Sequence, residues 1–182
     1  WQQSRKKAHI LSIETKLLQH QTLTTARLTL RPVHLNDAAM FLRVGSDSEN
    51  NRFTIRYADE EAVLEALATY WIGQPLGKYT IALNNRPIGA MGLHWTDCAT
   101  EIGYFLDKRY WHHGYATETA QALILFFFNT LKLLRVEGRF DARNPASGKV
   151  LSRLGMYEEG RLVNERIADG ISVTTVIMAK TR

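Results

Sequence analysis

The run Arg109-Tyr110-Trp111-His112-His113-Gly114-Tyr115-Ala116-Thr117-Glu118 decides how this chain reads. It follows the strand-like stretch Glu101-Ile102-Gly103-Tyr104-Phe105-Leu106 and leads into an apolar-periodic segment over residues 117–131. A strand, a tight turn with a glycine and a small residue, and then a helix start together turn several backbone N–H groups toward one phosphate. Gly114 and Ala116 lack bulk where a pyrophosphate must approach the main chain. The run therefore predicts a phosphate cradle for a nucleotide-like cofactor. Two familiar cradles do not fit. The Walker pattern needs two glycines, a Lys and a magnesium-binding Ser or Thr. The dinucleotide pattern needs three spaced glycines early in a βαβ unit.

Working outward, Leu28 and Leu30 alternate with Arg27, Thr29 and Arg31 as in a half-buried strand. Residues 34–44 read as a helix with Asn36 or Asp37 near its start. Residues 59–72 read as a second helix, capped by Asp59, with Val63, Leu64, Leu67 and Trp71 as its apolar stripe. Strands at 79–83 and 88–95 are joined through Asn84-Asn85-Arg86-Pro87. Strand 100–107, helix 117–131, strand 134–141 and helix 145–154 follow. Two last strands, near 158–166 and 172–180, turn at Asp169-Gly170. Early strands followed by strand–helix–strand–helix predict an α/β chain with a mixed sheet rather than a doubly wound one. Ile124, Phe127, Phe128 and Leu131 fit a helical core stripe better than Phe126, Phe127 and Phe128 fit an aromatic box. Residues 21–182 read as one domain. Residues 1–20 read as a basic extension, either loose or a short helix with Ile10, Ile13 and Leu17 on one side.

A chain of 182 residues, 45% of them hydrophobic, is long enough to bury about 70% of its unfolded surface. Cys98 is the single cysteine, so no intramolecular disulfide forms, and a reducing, cytoplasmic compartment is expected. Cys98 itself reads as a small buried or edge residue. Charges interrupt every hydrophobic stretch, which argues against a membrane span. The first residues lack the apolar core and cleavage site of a secretory signal. The formal charge of +5 is scattered, with no aromatic-interleaved recognition motif, so nucleic-acid binding is not expected. A polyanionic cofactor and an acidic macromolecular substrate both remain open.

The turn resembles the acyl-CoA turn of the GNAT superfamily of N-acetyltransferases, Gln/Arg-x-x-Gly-x-Gly/Ala. Gly114-x-Ala116 fills its second half. Trp111, where Gln or Arg is usual, is similar to the branch containing ribosomal-protein N-terminal acetyltransferases, and His112 departs from the Gly common there. Asn144-Pro145-Ala146-Ser147, followed by Leu154-Gly155-Met156, resembles the Asn-x-x-Ser…Leu-Gly-Phe signature of that branch. Physically, Asn144 can cap a helix with Pro145 at its first position, and Gly155 suits the left-handed residue that ends it. Thr25-Ala26-Arg27-Leu28-Thr29-Leu30-Arg31-Pro32 looks like the family's first strand and residues 101–107 like its fourth. The resemblance covers roughly residues 24–180 and implies the GNAT (acyl-CoA N-acyltransferase) fold, a mixed, mostly antiparallel sheet flanked by helices.

What it implies for function is acetyl transfer from acetyl-CoA directly to a primary amine. The expected acceptor is a protein N-terminal α-amine. A small amine (antibiotic, polyamine or amino acid derivative) is the alternative, and a non-catalytic CoA-binding module a third. An α-amine has a pKa near ~8 and needs modest base assistance, and a backbone N–H from a splayed strand can hold the oxyanion. Glu101 is the expected base, with Glu158 and Glu165 in reserve, and Ser147 the acid or thiolate partner in place of a helix Tyr, where Leu151 stands. The cofactor is expected on His112, His113, Gly114, Tyr115, Ala116 and Thr117, with Phe105 and Leu106 along the pantetheine, Asn144 on its amides and Lys149 reaching a phosphate. The helix dipole at Thr117 would reinforce the cradle. No metal is required, and the six histidines form no ligand set. Substrate walls would include residues 52–57, where Arg52 and Arg56 either attract an acidic peptide or solubilise a loop. A homodimer through the basic extension is left open.

Overall fold

The structure, a computed structural model, describes residues 11–182. Arg5, Lys6, Lys7 and Ile10 lie outside the described residues. Eight strands form one sheet: β1 (Leu23–Thr24), β2 (Leu28–Arg31), β3 (Lys78–Leu83), β4 (Arg86–Trp95), β5 (Ala99–Leu106), β6 (Arg135–Asp141), β7 (Tyr157–Ala168) and β8 (Ile171–Thr181). Their spatial order is β1-β2-β3-β4-β5-β6-β8-β7. Every neighbouring pair is antiparallel except β5 and β6, which run parallel. The helix of residues 115–131 makes that crossover, as a parallel connection requires.

Helices cover both faces. On one lie α2 (Ala38–Ser46), entered through a short 3₁₀ turn, and α3 (Glu60–Ala66), which runs on through a widened turn at Leu67–Trp71. On the other lie α4 (Tyr115–Phe126), extended by a widened turn at Phe127–Leu131, and α5 (Pro145–Arg153). The two apolar clusters follow this division. Phe41, Val44, Val63 and Trp71 pack with Ala90 and Phe105 under α2 and α3. Leu123, Ile124 and Phe127 pack with Ile102, Val136 and Leu151 under α4 and α5. Each fully buried side chain of this size contributes roughly 1.5–3 kcal/mol. The N-terminal helix α1 (Ile13–Gln19), capped by Ser12, sets Leu17 into the second cluster.

Several details correct the sequence reading. Helix α4 starts at Tyr115, not Thr117, because Gly114 takes a left-handed conformation (φ 80°) and turns the chain into the helix two residues earlier. Leu64 is exposed, so the α3 stripe is Val63, Leu67 and Trp71. In the widened last turn of α4 the Lys132 N–H reaches back to the Phe127 carbonyl. That shift buries both Phe126 and Phe127 and leaves Phe128 only partly covered. The β3–β4 connection is shorter than expected: Asn84 and Asn85, both at positive φ, form the whole turn, and Arg86 is already in the strand. Gly155 is left-handed and ends α5 as read (φ 74°), and Asp169-Gly170 makes the last turn. Cys98 is exposed.

Candidate active site

The cradle is held from below. Asp107, 2% exposed, accepts from Arg43 Nε at 2.7 Å and from Arg109 Nη2 at 2.6 Å. Burial would raise this carboxyl, but the Arg109 and Arg43 guanidiniums outweigh it and hold the group down to about 2. Trp111 Nε1 donates to the Leu106 carbonyl at 3.0 Å, which ties the turn to the end of β5. His112 sits at φ 63° and Gly114 at φ 80°. The first backbone bond of α4 runs from Glu118 N to Gly114 O at 3.0 Å. Helix geometry leaves the N–H groups of Tyr115, Ala116 and Thr117 without an intrahelical acceptor, directed at an incoming anion. The His113 ring approaches the Trp111 carbonyl at 2.6 Å and stacks on Tyr115 at 5.6 Å. His112 and His113 thus serve the turn, and among the described residues no three His, Cys, Asp or Glu side chains cluster for a metal.

Arg27 joins this turn, and sequence reasoning missed it. Glu118 holds Arg27 Nε at 2.7 Å, and the guanidinium lies 4.5 Å from the centre of the Tyr115 ring. A Cβ on Gly114 would come within 3.6 Å of Arg27 Nη2. The turn between β1 and β2 thereby brings a cation to the cradle across more than eighty residues of sequence, a placement that no local motif signals.

Beyond the cradle the sheet splits. The β5–β6 ladder consists of Ala99↔Arg135, Thr100↔Val136 and Glu101↔Glu137, and then stops. On the outer sides, β5 stays paired with β4 as far as Leu106 and β6 with β8 as far as Asp141. Residues 102–106 and 138–141 therefore diverge with their facing backbone edges open. A cavity of about 400 Å³ occupies the gap.

Its lining comes from both faces of the sheet. On the α5 face stand Tyr104, Asn144 and Ser147. Asn144 caps α5, accepting from Ser147 N at 3.3 Å and donating to Ser147 Oγ at 3.0 Å. The Tyr104 hydroxyl is buried with no partner of good geometry. Burial pushes it up to about 12, and the nearby Ser147 hydroxyl offsets only part of that. Close packing brings α5 here: a Cβ on Gly138 would meet Leu151 at 2.8 Å, and one on Gly148 would meet the Phe140 ring at 2.9 Å. Phe105 lines the gap from the other face, against Phe41 at 5.5 Å and Trp71 at 6.0 Å. Leu106 is buried in the core under α4 and does not line the cavity, and its carbonyl accepts from Trp111 and Asn50. Lys149 is exposed on α5 and does not line the cavity.

Glu101, the last residue of β5 paired with β6, faces the α2–α3 side. It stands across from His94 on β4, and such cross-strand partners share a face. Arg139 Nε lies 3.6 Å from the Glu101 carboxylate and 3.1 Å from Glu137. His94 Nε2 is 3.3 Å from the Tyr70 hydroxyl, and both line the cavity. Gly92 and Gly103 pair across β4 and β5 beside them, and a Cβ on Gly103 would meet nothing within 4 Å. The result is an open floor bordered by an imidazole and a phenol, with the Glu101 carboxylate beside Arg139 and not itself among the lining residues. Glu158 is paired with Arg161 at 2.7 Å, outside the gap. Glu165 lines a neighbouring hollow of about 390 Å³ that shares Phe53, Thr54, Arg139, Phe140 and Asp141 with the main cavity.

A left-handed glycine turn at a helix start thus lies near a parallel strand pair that opens into a cavity lined from both faces of the sheet. Residues 27–157 match the acetyltransferase (GNAT) domain family. The chain belongs to the GNAT acetyltransferase family. The N-acetyltransferase p20 of Bacillus licheniformis, itself uncharacterized, is 29% identical over 160 residues, covering 82% of this chain and 90% of that one. A GNAT acetyltransferase from Bacillus anthracis superposes with a TM-score of 0.80 at 22% identity, covering 88% of this chain and 98% of the other. The ribosomal L7/L12 α-N-protein acetyltransferase RimL, solved with coenzyme A, gives 0.74 at 18% identity, covering 88% and 97%.

As a GNAT acetyltransferase the chain uses acetyl-CoA as cosubstrate for N-acetylation. The residues present suit it: an unstrained backbone cradle at Gly114, a cation at Arg27, and an unsatisfied buried phenol at Tyr104 beside a gap with free backbone edges. Among the described residues no helix is long and apolar enough to cross a membrane.

Proposed function

We propose that this GNAT acetyltransferase acetylates the N-terminal α-amine of a protein by direct transfer within a ternary complex, with residues 21–182 as the catalytic unit. When bound, acetyl-CoA supplies the activated acyl group. The cradle at residues 112–117, with Arg27, would bind its phosphates, and Asn144 its amide-bearing arm. Backbone N–H groups of β5 past Glu101 would face the developing oxyanion. Glu101, aided by His94 and Tyr70, would take the proton from the attacking amine. The Tyr104 hydroxyl, which burial keeps protonated, and Ser147 would offer hydrogen bonds or a proton to the departing thiolate. Two approaches from opposite faces let both substrates be present at once, so no covalent enzyme intermediate is required.

One observation carries the choice of a protein acceptor. The acceptor side adjoins a second hollow of about 390 Å³, with which it shares Phe53, Thr54, Arg139, Phe140 and Asp141. That trough has room for residues following the reacting amine, room a lone small amine would leave empty. The exposed Cys98 thiol and the lone-cysteine composition suit a reducing, cytoplasmic setting.

The test is acetyl transfer from acetyl-CoA to octapeptides with varied N-terminal residues, run beside polyamines, aminoglycosides and free amino acids. Acetylation confined to the peptide α-amine, with intersecting double-reciprocal plots, is expected. Turnover of small amines alone would overturn the protein-acceptor reading.

A further inference from the structure

The hollow next to Glu101 is unusually rich in arginine. Arg52, Arg56, Arg139, Arg143 and Arg166 line it together with three carboxylates, Asp141, Glu165 and Asp169. The pairing shows which of the arginines are taken. Arg56 grips Asp169 through both nitrogens at 2.6 Å, and Arg143 grips Asp141 at 2.5 and 2.9 Å. Arg139 is shared between Glu137 and Glu101. Among the described residues Arg52 and Arg166 make no ion pair; Arg52 lies 5.1 Å from the Phe53 ring.

These five arginines converge from three separate parts of the chain: the loop before α3, the end of β6 and the last hairpin. The cavity they border opens on the same face as Glu101 and His94 and shares Arg139 with the acceptor side of the gap. Arginine matches this position chemically, because its planar fork engages a carboxylate through two parallel hydrogen bonds. A purely solubilising role would not gather the groups in one concavity. The carboxylates interspersed among them make the surface a poor track for a continuous phosphate backbone.

We propose that the acetyl acceptor carries carboxylates close to its reacting amine, and that Arg52 and Arg166 receive them. In its full form the acceptor is an acidic N-terminal segment whose α-amine reaches Glu101 while its next residues lie over Arg139 into the hollow. This rests on the acceptor-face reading given above.

The experiment measures kcat/KM for two octapeptides with the same N-terminal Ser, one with Asp and Glu at the next three positions and one with Asn and Gln. Aspartate and glutamate against asparagine and glutamine form a second arm. The acidic peptide is expected to be favoured about fivefold to tenfold at low salt, the scale of two partly exposed arginine–carboxylate contacts. The ratio should shrink at 0.5 M salt and approach one in the Arg52→Gln/Arg166→Gln double variant, checked for folding by its melting temperature. A preference seen only between the free amino acids would keep the carboxylate assignment and overturn the peptide acceptor. Equal rates within both arms, or a preference unchanged in the double variant, would overturn the inference.

Discussion

The two sides of the split sheet are built in opposite ways. The cradle proposed for the donor's phosphates is local but for Arg27. Ten consecutive residues carry the turn, the left-handed glycine and the helix start, and a buried carboxylate two residues before them pins the whole to β5. The side proposed for the acceptor is assembled from a distance: Tyr70 from the widened turn after α3 joins His94 on β4, Glu101 on β5 and Arg139 on β6, with Arg166 on β7 in the adjoining hollow. On the proposed assignment, the phosphate site is largely written into one stretch of chain, whereas the choice of acceptor is spread over many elements.

The sharpest way to break the comparison is to block the gap where the two sides meet. Gly103→Val places a side chain into the cavity floor without touching any atom within 4 Å of its Cβ, so the fold should hold. Turnover is expected to drop by more than roughly 10²-fold with the melting temperature nearly unchanged, since misplacing reactants by an ångström costs that much. An active Gly103→Val enzyme would move the reaction out of the gap. On the acceptor side, Glu101→Gln should lower kcat by roughly 10² and leave acetyl-CoA binding as it was. If kcat survives and acetyl-CoA binding falls instead, Glu101 belongs to the donor side.

A donor-side group should show the reverse pattern of roles. Tyr104→Phe is expected to cost roughly tenfold in kcat, most for acyl donors with poor thiolate leaving groups. Because burial pushes this phenol to about 12, the wild-type rate should show no loss from its ionisation between pH 7 and 10. A fall across that range that disappears in Tyr104→Phe would contradict its protonated state.

The smallest effect is on stability. The folded Asp107 carboxyl lies at about 2, below its ordinary value of 3.8. Its contribution is therefore complete above about pH 4 and is lost as the pH falls toward 2. Allowing for solvent around Arg43 and Arg109, it is on the order of 1–2 kcal/mol. Asp107→Asn should flatten that part of the acid-unfolding curve, and a wild-type curve with no slope there would count against the anchor.

Sequence legibility follows the same division. Gly114, Asn144 with Pro145, and Gly155 could be read because each meets a local backbone demand that few residue types satisfy. The strand and helix sequence was readable from periodicity for a similar reason. Leu64 and the start of α4 misled because a stripe or a helix start is shifted by one turn of geometry that composition does not record. His94, Tyr70, Tyr104 and Arg27 could not be found in this way. That His94 shares a face with Glu101 depends on how many residues the β4–β5 turn contains, and Arg27 reaches the cradle only through the pairing of β2 within the sheet.

Acetyl-CoA held by the turn at Gly114, next to the split between β5 and β6, should bind less tightly once that turn is distorted. Calorimetric titration of acetyl-CoA into the wild type and Gly114→Val measures this. At φ 80°, with the nearest atom to a new Cβ 3.6 Å away, the substitution acts through backbone conformation, at about 1–2 kcal/mol, rather than through a clash. The account predicts at least tenfold weaker binding in a variant that still folds. Equal affinity in the two proteins would contradict it.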